Sequence, residues 1–181
     1  LEMTTDVCVH NTVGYMKSTE NDQQIVRLQV EDEGQTDEMV IRFADDATEG
    51  YDGNLDAHKY FSYVEGYPQI YSTANDFMSI NSLPFDANRS IPMDVRGKDG
   101  DVMTIAATEA DGLEFLNLKD NFTGVTTDLK TGDYTFTYNS SVINRFELYF
   151  GFLGVDETSG ATYANIFAAG HNVNVKLVNA T

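Results

Sequence analysis

The chain is poor in the residues that supply covalent bracing or catalysis. Its single cysteine, Cys8, excludes an intrachain disulfide, and 181 residues are enough to bury a core without one. There is no tryptophan, and the three histidines, His10, His58 and His171, lie far apart with no zinc-ligand spacing between them. No apolar run approaches the roughly 18 residues of a membrane-spanning helix, and no secretory leader is evident. Basic residues are scarce, 11 Lys and Arg against 29 Asp and Glu, for a formal net charge of -18. That surface repels nucleic-acid phosphates and anionic lipid, so neither nucleic acid nor membrane insertion fits as a partner. The same charge keeps a solvated protein soluble. The opening Leu1-Glu2 reads as the edge of an excised piece of a longer protein.

Catalytic signatures are also missing. There is no Gly-x-Ser-x-Gly elbow, and Gly97-Lys98 lacks the rest of a phosphate-binding loop. Cys8 and His10 would share one face of a strand, but a nucleophile needs a base that a third group orients. With 29 acidic residues, carboxylate pairs arise by chance and do not indicate glycoside hydrolysis. The residues point to a protein that is not an enzyme.

What is present is period-two alternation, the mark of half-buried strands. Val26, Leu28 and Val30 alternate with Arg27, Gln29 and Glu31. The pattern returns at Met39, Ile41 and Phe43, at Ile91, Met93 and Val95, and at Tyr134, Phe136 and Tyr138. It returns again at Phe146, Leu148 and Phe150, and at Val173, Val175 and Leu177. Between the runs stand Glu33-Gly34, Lys98-Asp99-Gly100-Asp101, Asp111-Gly112, Thr131-Gly132-Asp133 and Thr158-Ser159-Gly160. Gly, Asn and Asp tolerate left-handed backbone, so these clusters read as turns. Roughly ten to twelve short strands follow, which predicts an all-β fold: a two-sheet β-sandwich of jelly-roll or immunoglobulin-like type. One short helical turn is expected within residues 52–61, capped by Asn54 or Asp56. Three zones divide the chain: an N-terminal arm over 1–23, the sandwich over 24–152, and a linker with two further strands over 153–181.

Two groups of side chains qualify as candidate sites. Asp45, Asp52, Asn54 and Asp56 form an acidic loop that could supply oxygen ligands to calcium. Asp52-x-Asn54-x-Asp56 matches the first three positions of an EF-hand loop, but Ala57 and Tyr63 occupy its glycine and glutamate positions. The competing reading is a turn with carboxylates at its start. The second group is aromatic: Tyr60, Tyr63, Tyr67 and Tyr71, with Tyr51 and Phe61 nearby. Tyrosine has an apolar face and a polar tip, which suits stacking on sugars. Against this, tyrosine in a β-rich chain is also an ordinary strand and core residue.

Several short motifs occur in a fixed order. Val26-Arg27-Leu28-Gln29-Val30 precedes Asp37-Glu38-Met39-Val40-Ile41-Arg42-Phe43. Next come Ala47-Thr48-Glu49-Gly50-Tyr51-Asp52, Asp56-Ala57-His58-Lys59, Pro68-Gln69-Ile70-Tyr71 and Ile80-Asn81-Ser82-Leu83-Pro84. Leu118-Lys119-Asp120, the run Leu129-Lys130-Thr131-Gly132-Asp133-Tyr134-Thr135-Phe136-Thr137, and Asn144-Arg145-Phe146-Glu147-Leu148-Tyr149-Phe150 complete the series. Over residues 24–152 this order resembles a β-sandwich accessory module that precedes the C-terminal sorting domain of bacterial surface proteins exported by type IX secretion. Residues 163–177 look like the first strands of such a sorting domain. The resemblance implies a secreted or outer-surface location and a non-catalytic accessory role, and it carries no active site. Two functions are therefore expected. The first is an adhesive or spacer module of a large surface protein. The alternative is a carbohydrate-binding module, with or without structural calcium. The corresponding partners are another surface protein or an extracellular polysaccharide.

Overall fold

The computed structural model describes residues 24–74, 76–85 and 89–152, and the backbone of 163–169 and 172–178. Expectations for the arm over 1–23, for Cys8, His10 and His171, and for the linker from 153 lie outside the described residues. So do the side chains of Val173, Val175 and Leu177.

The described residues are all-β. The first hairpin shows how local sequence sets the register. β1 (Gln24–Asp32) and β2 (Gln35–Phe43) pair antiparallel from Gln24↔Phe43 to Asp32↔Gln35. Glu33 and Gly34 form the connection with φ of 47° and 82°. A two-residue turn with both φ positive matches the right-handed twist of the flanking strands. The Gly34 N–H also donates to the Glu31 carboxylate at 2.7 Å.

The strands that follow are β3 (Ala57–His58), β4 (Gln69–Ser72), β5 (Met78–Leu83), β6 (Ser90–Arg96) and β7 (Val102–Glu109). After them come β8 (Leu113–Asp120), β9 (Thr126–Asp128), β10 (Tyr134–Thr137) and β11 (Phe146–Phe152). They form one eleven-stranded sheet in the order β10-β7-β1-β2-β5-β4-β6-β11-β8-β9, with β3 added on β5. All described pairings in it are antiparallel except β2 with β5, which run parallel from Val40↔Ile80 to Phe43↔Leu83. The strands join into one nearly closed, barrel-like sheet. Its narrowest joint lies between β4 and β5, where a single pair, Ser72↔Met78, carries the ladder. A buried bond from Asn81 Nδ2 to Ser72 Oγ at 3.0 Å reinforces it. By itself, β12 (Tyr163–Ala169) pairs antiparallel with β13 (Asn172–Val178) as a two-stranded hairpin.

The core lies on the concave side of the sheet. Leu28, Val30, Met39, Phe43, Met93, Met103, Ile105 and Phe146 are fully enclosed. Each large apolar side chain so buried contributes about 1.5–3 kcal/mol. The open side between β10 and the other end of the sheet is closed by side chains. Asp120, at the end of β8, receives Arg145 Nε at 3.0 Å, Arg145 Nη2 at 2.7 Å and the Tyr134 hydroxyl of β10 at 2.8 Å. Arg145 Nη1 donates to the Thr137 carbonyl, also on β10, at 2.8 Å.

The expected helical turn is not formed. At that place the N–H groups of Leu55 and Asp56 both donate to the Asp52 carbonyl, at 3.0 and 2.7 Å, and the chain then leaves as β3. Asp56 is the reason. Its carboxylate accepts from Asp52 N at 2.7 Å and from Ser82 N at 2.6 Å, tying the turn down onto β5 before a second turn can add. Asp52, rather than Asn54 or Asp56, occupies the capping position, with its Oδ1 accepting from Asn54 N at 2.9 Å.

Candidate ligand-binding groove and aromatic loop

β6 alternates cleanly. Ile91, Met93 and Val95 enter the core, so Asp94 and Arg96 stand on the opposite face. Beside it β4 is buried at every position, because the loop over residues 59–68 and Phe77 cover its outer side. Tyr71 of β4, Phe61 of the loop and Phe77 form an edge-to-face triangle with centroid separations of 5.1, 5.5 and 5.2 Å. The Arg96 guanidinium lies over the Phe61 ring, 3.5 Å from its centroid. A cation so placed is attracted by the ring quadrupole.

Tyr71, Phe77, Asp94 and Arg96 line an open groove of about 440 Å³ together with Thr73, Tyr138, Ser140, Val142, Ile143 and Asn144. Its size falls in the range of about 300–1,000 Å³ typical of small-ligand sites. One wall is the 139–144 loop, which two carboxylates hold in place. Asp94 accepts from Asn144 N at 3.0 Å, and Asp99 accepts from Ser140 N at 2.5 Å and Ser140 Oγ at 2.8 Å. Asn144 takes a left-handed backbone, φ 53°, which asparagine tolerates better than most residues. Burial pushes the Asp94 carboxyl above its usual range, against the opposing N–H groups of Val95, Asn144 and Arg145. Burial likewise raises the Tyr71 and Tyr138 phenols, with an Arg96 hydrogen bond to Tyr71 opposing it there.

The loop that delivers Phe61 is pinned at both ends to β2. The Lys59 ammonium bonds Asp37, whose Oδ2 also accepts from Ile70 N at 2.8 Å. The Tyr67 hydroxyl donates to the Thr36 carbonyl at 3.0 Å. Between these anchors Phe61 turns inward and its neighbours turn out: Tyr60 is 91% exposed and Tyr63 is fully exposed. Of the four expected platform residues, then, Tyr60 and Tyr63 present their rings to solvent. Tyr67 is half-buried and bonded to β2, and Tyr71 is buried beneath the groove.

Of the expected calcium ligands, Asp45 and Asn54 are exposed while Asp52 and Asp56 are half-buried and bonded to backbone N–H groups. Among the described residues no three acidic, cysteine or histidine side chains are grouped as they would be around a metal ion. Sequence reasoning missed Asp94, Arg96, Phe77, Tyr138 and Asn144. The signal for two of them was available, since the alternation that sends Met93 and Val95 inward sends Asp94 and Arg96 outward together.

The groove thus brings together one carboxylate, Asp94, one guanidinium, Arg96, and the rings of Tyr71 and Phe77. The chain belongs to the family described as Domain of unknown function (DUF8693), whose profile matches residues 11–150. No curated protein and no solved structure matches it.

Proposed function

We propose that this chain is a non-catalytic accessory module of a secreted or cell-surface bacterial protein, and that it adheres to extracellular polysaccharide through the loop carrying Tyr60 and Tyr63. The observation that supports the reading is the pairing of rigidity with exposure. Both rings stand in solvent on a loop whose two ends are fixed to β2. Holding the rings in place before binding reduces the ordering cost of association. An apolar ring face left in water gains when a sugar face covers it.

The sheet serves this role as a sandwich-like scaffold whose halves face each other across the core. Phe43 of β2 meets Phe150 of β11 at 4.8 Å between centroids, and Phe136 of β10 meets Phe146 of β11 at 5.0 Å. A non-catalytic role is favoured by the groove's single lining carboxylate, Asp94, which is occupied by backbone N–H groups. Cleavage of a glycosidic bond needs two carboxyl groups facing the substrate. The motif order across 24–152 favours the surface location and a sorting segment after the module.

The test is a binding screen of the purified chain against soluble and insoluble polysaccharides with calcium present. Saturable binding to one class is expected. Tyr60→Ala and Tyr63→Ala should each weaken it by more than about 1 kcal/mol, as central aromatic contacts do, without shifting the melting temperature. Binding that ignores both substitutions, or no binding across a broad panel, would remove the adhesive role and leave a spacer.

A further inference from the structure

We propose that the groove between β4, β6 and the 139–144 loop binds the anionic group of an acidic saccharide, with Arg96 as the group that grips its carboxylate or sulfate. The inference rests on the polysaccharide reading above and names the chemistry of the sugar.

Arg96 is exposed in the groove, and no carboxylate among the described residues lies within ion-pair distance of it. Guanidinium has five N–H donors and no acceptor, so beyond the hydrogen bond of Arg96 to Tyr71 its remaining donors call for acceptor oxygens. Carboxylate and sulfate match its planar fork, and charge-assisted bonds of that kind are roughly twice as strong as neutral ones. The ring of Phe61, 3.5 Å from the guanidinium carbon, supports Arg96 at the groove. Asp94, the acid that could have competed for Arg96, is directed at Val95 N and Asn144 N. The remaining lining suits a sugar ring. Phe77 and Ile143 offer partly exposed apolar surface, and Ser140 and Asn144 carry hydroxyl and amide groups at the opposite wall. Phe61, stacked on Arg96, belongs to the loop that presents Tyr60 and Tyr63.

The net charge of -18 opposes any anionic ligand at long range. In about 0.15 M salt the screening length is roughly 8 Å, so the contact at Arg96 acts locally while most of the distant repulsion is removed.

The experiment is calorimetric titration of the 181-residue chain at that salt concentration with three oligosaccharides. These are hexagalacturonate, a sulfated galactan oligomer and a neutral β-glucan hexamer. Saturable binding of the uronate or the sulfated oligomer, with at least a tenfold loss in Arg96→Gln and a partial recovery in Arg96→Lys, supports the proposal. Which of the two binds identifies the anion. Binding of the neutral hexamer alone would overturn this inference and leave the polysaccharide reading standing, whereas no binding in any arm would remove both. Acidic-sugar binding that Arg96→Gln leaves unchanged would place the site elsewhere and overturn the proposal. Should Arg96→Gln fold poorly, the wild-type chain is treated with phenylglyoxal and mapped by mass spectrometry. The bound oligosaccharide should protect Arg96, and modification at an unchanged rate counts against the site.

Discussion

Replacing Arg145 by alanine should remove a large part of the stability of this domain. The side chain is 4% exposed and its partner Asp120 is fully buried. In Arg145→Ala the Asp120 carboxylate loses two charge-assisted bonds and its paired cation, while keeping Tyr134 and the N–H groups of Phe122 and Thr123. Leaving one member of a buried pair without its partner costs about 3–5 kcal/mol. The guanidinium also sits 4.6 Å from the Phe136 ring centroid and 5.1 Å from that of Phe146, so truncation opens a void among aromatics. It further releases the Thr137 carbonyl, and with it the tie that closes the sheet between β10 and β8. Against a total stability of about 5–15 kcal/mol for a domain of this kind, the loss is severe. Urea denaturation followed by near-ultraviolet dichroism measures it. With a slope near 2 kcal/mol/M the midpoint should fall by about 2 M.

The same pair carries a pH signature. Burial alone would raise the Asp120 carboxyl, but Arg145, Tyr134 and the Thr123 and Phe122 N–H groups outweigh it and hold it below the usual carboxylate range. A depressed folded-state value means that the stabilisation is complete above the unfolded pKa and is lost as pH falls through the folded one. Asp120→Asn should therefore narrow its deficit against wild type as the solution becomes acid. A loss under about 1 kcal/mol in Arg145→Ala, or a deficit in Asp120→Asn that stays constant with pH, would refute the idea that this pair seals the sheet.

Four further outcomes are expected. Asp56→Ala should cost about 1–3 kcal/mol, because the Asp52 and Ser82 N–H groups lose their acceptor, whereas Asp52→Ala, which removes one hydrogen bond to Asn54 N in an exposed turn, should cost about 0.5–1.5 kcal/mol. Melting curves in calcium and in chelator should superimpose for the wild type, and a fall in chelator would restore the calcium loop. Burial, and then the charges of Asp101 and Glu33, raise the Asp32 carboxyl; a raised folded-state value favours folding at low pH and loses that advantage as pH rises through it. Asp101→Asn should accordingly increase the melting temperature at pH 7, with the gain vanishing as Asp32 takes up its proton in acid. Gly97→Ala should destabilise by about 1–3 kcal/mol, since the new methyl would stand 1.7 Å from the buried Met103 Cε, and its urea midpoint checks this.

The strands themselves were legible because side-chain alternation is local. Val26, Leu28 and Val30, or Phe146, Leu148 and Phe150, face inward in the structure as their period requires. Glu33-Gly34 marked its hairpin for the same reason, since a two-residue turn depends on the conformational range of those two residues. The helical turn at 52–56 misled because its fate depends on Ser82, 26 positions away from Asp56, whose N–H takes the carboxylate that a helix start would have used. The exposed half of the aromatic site could be named from sequence but not separated from the buried half. Tyr60 and Tyr71 read alike as residues, and only the loop crossing over β4 decides that Tyr71 is covered.

By itself, then, the sequence determined the all-β class, the inward face of most strands, the acidic surface and the absence of a disulfide framework, all of which follow from composition and short-range period. The tertiary structure alone decided that the described strands before β12 join into one sheet, that β2 pairs parallel with β5, that Asp120 and Arg145 meet across 25 positions, and that Arg96 lies on Phe61 in an open groove. Period-two patterning says which face of a strand is buried. It says nothing of which neighbour supplies the other half of the ladder, because backbone hydrogen bonds are the same for every residue and pairing is selected by the whole core at once.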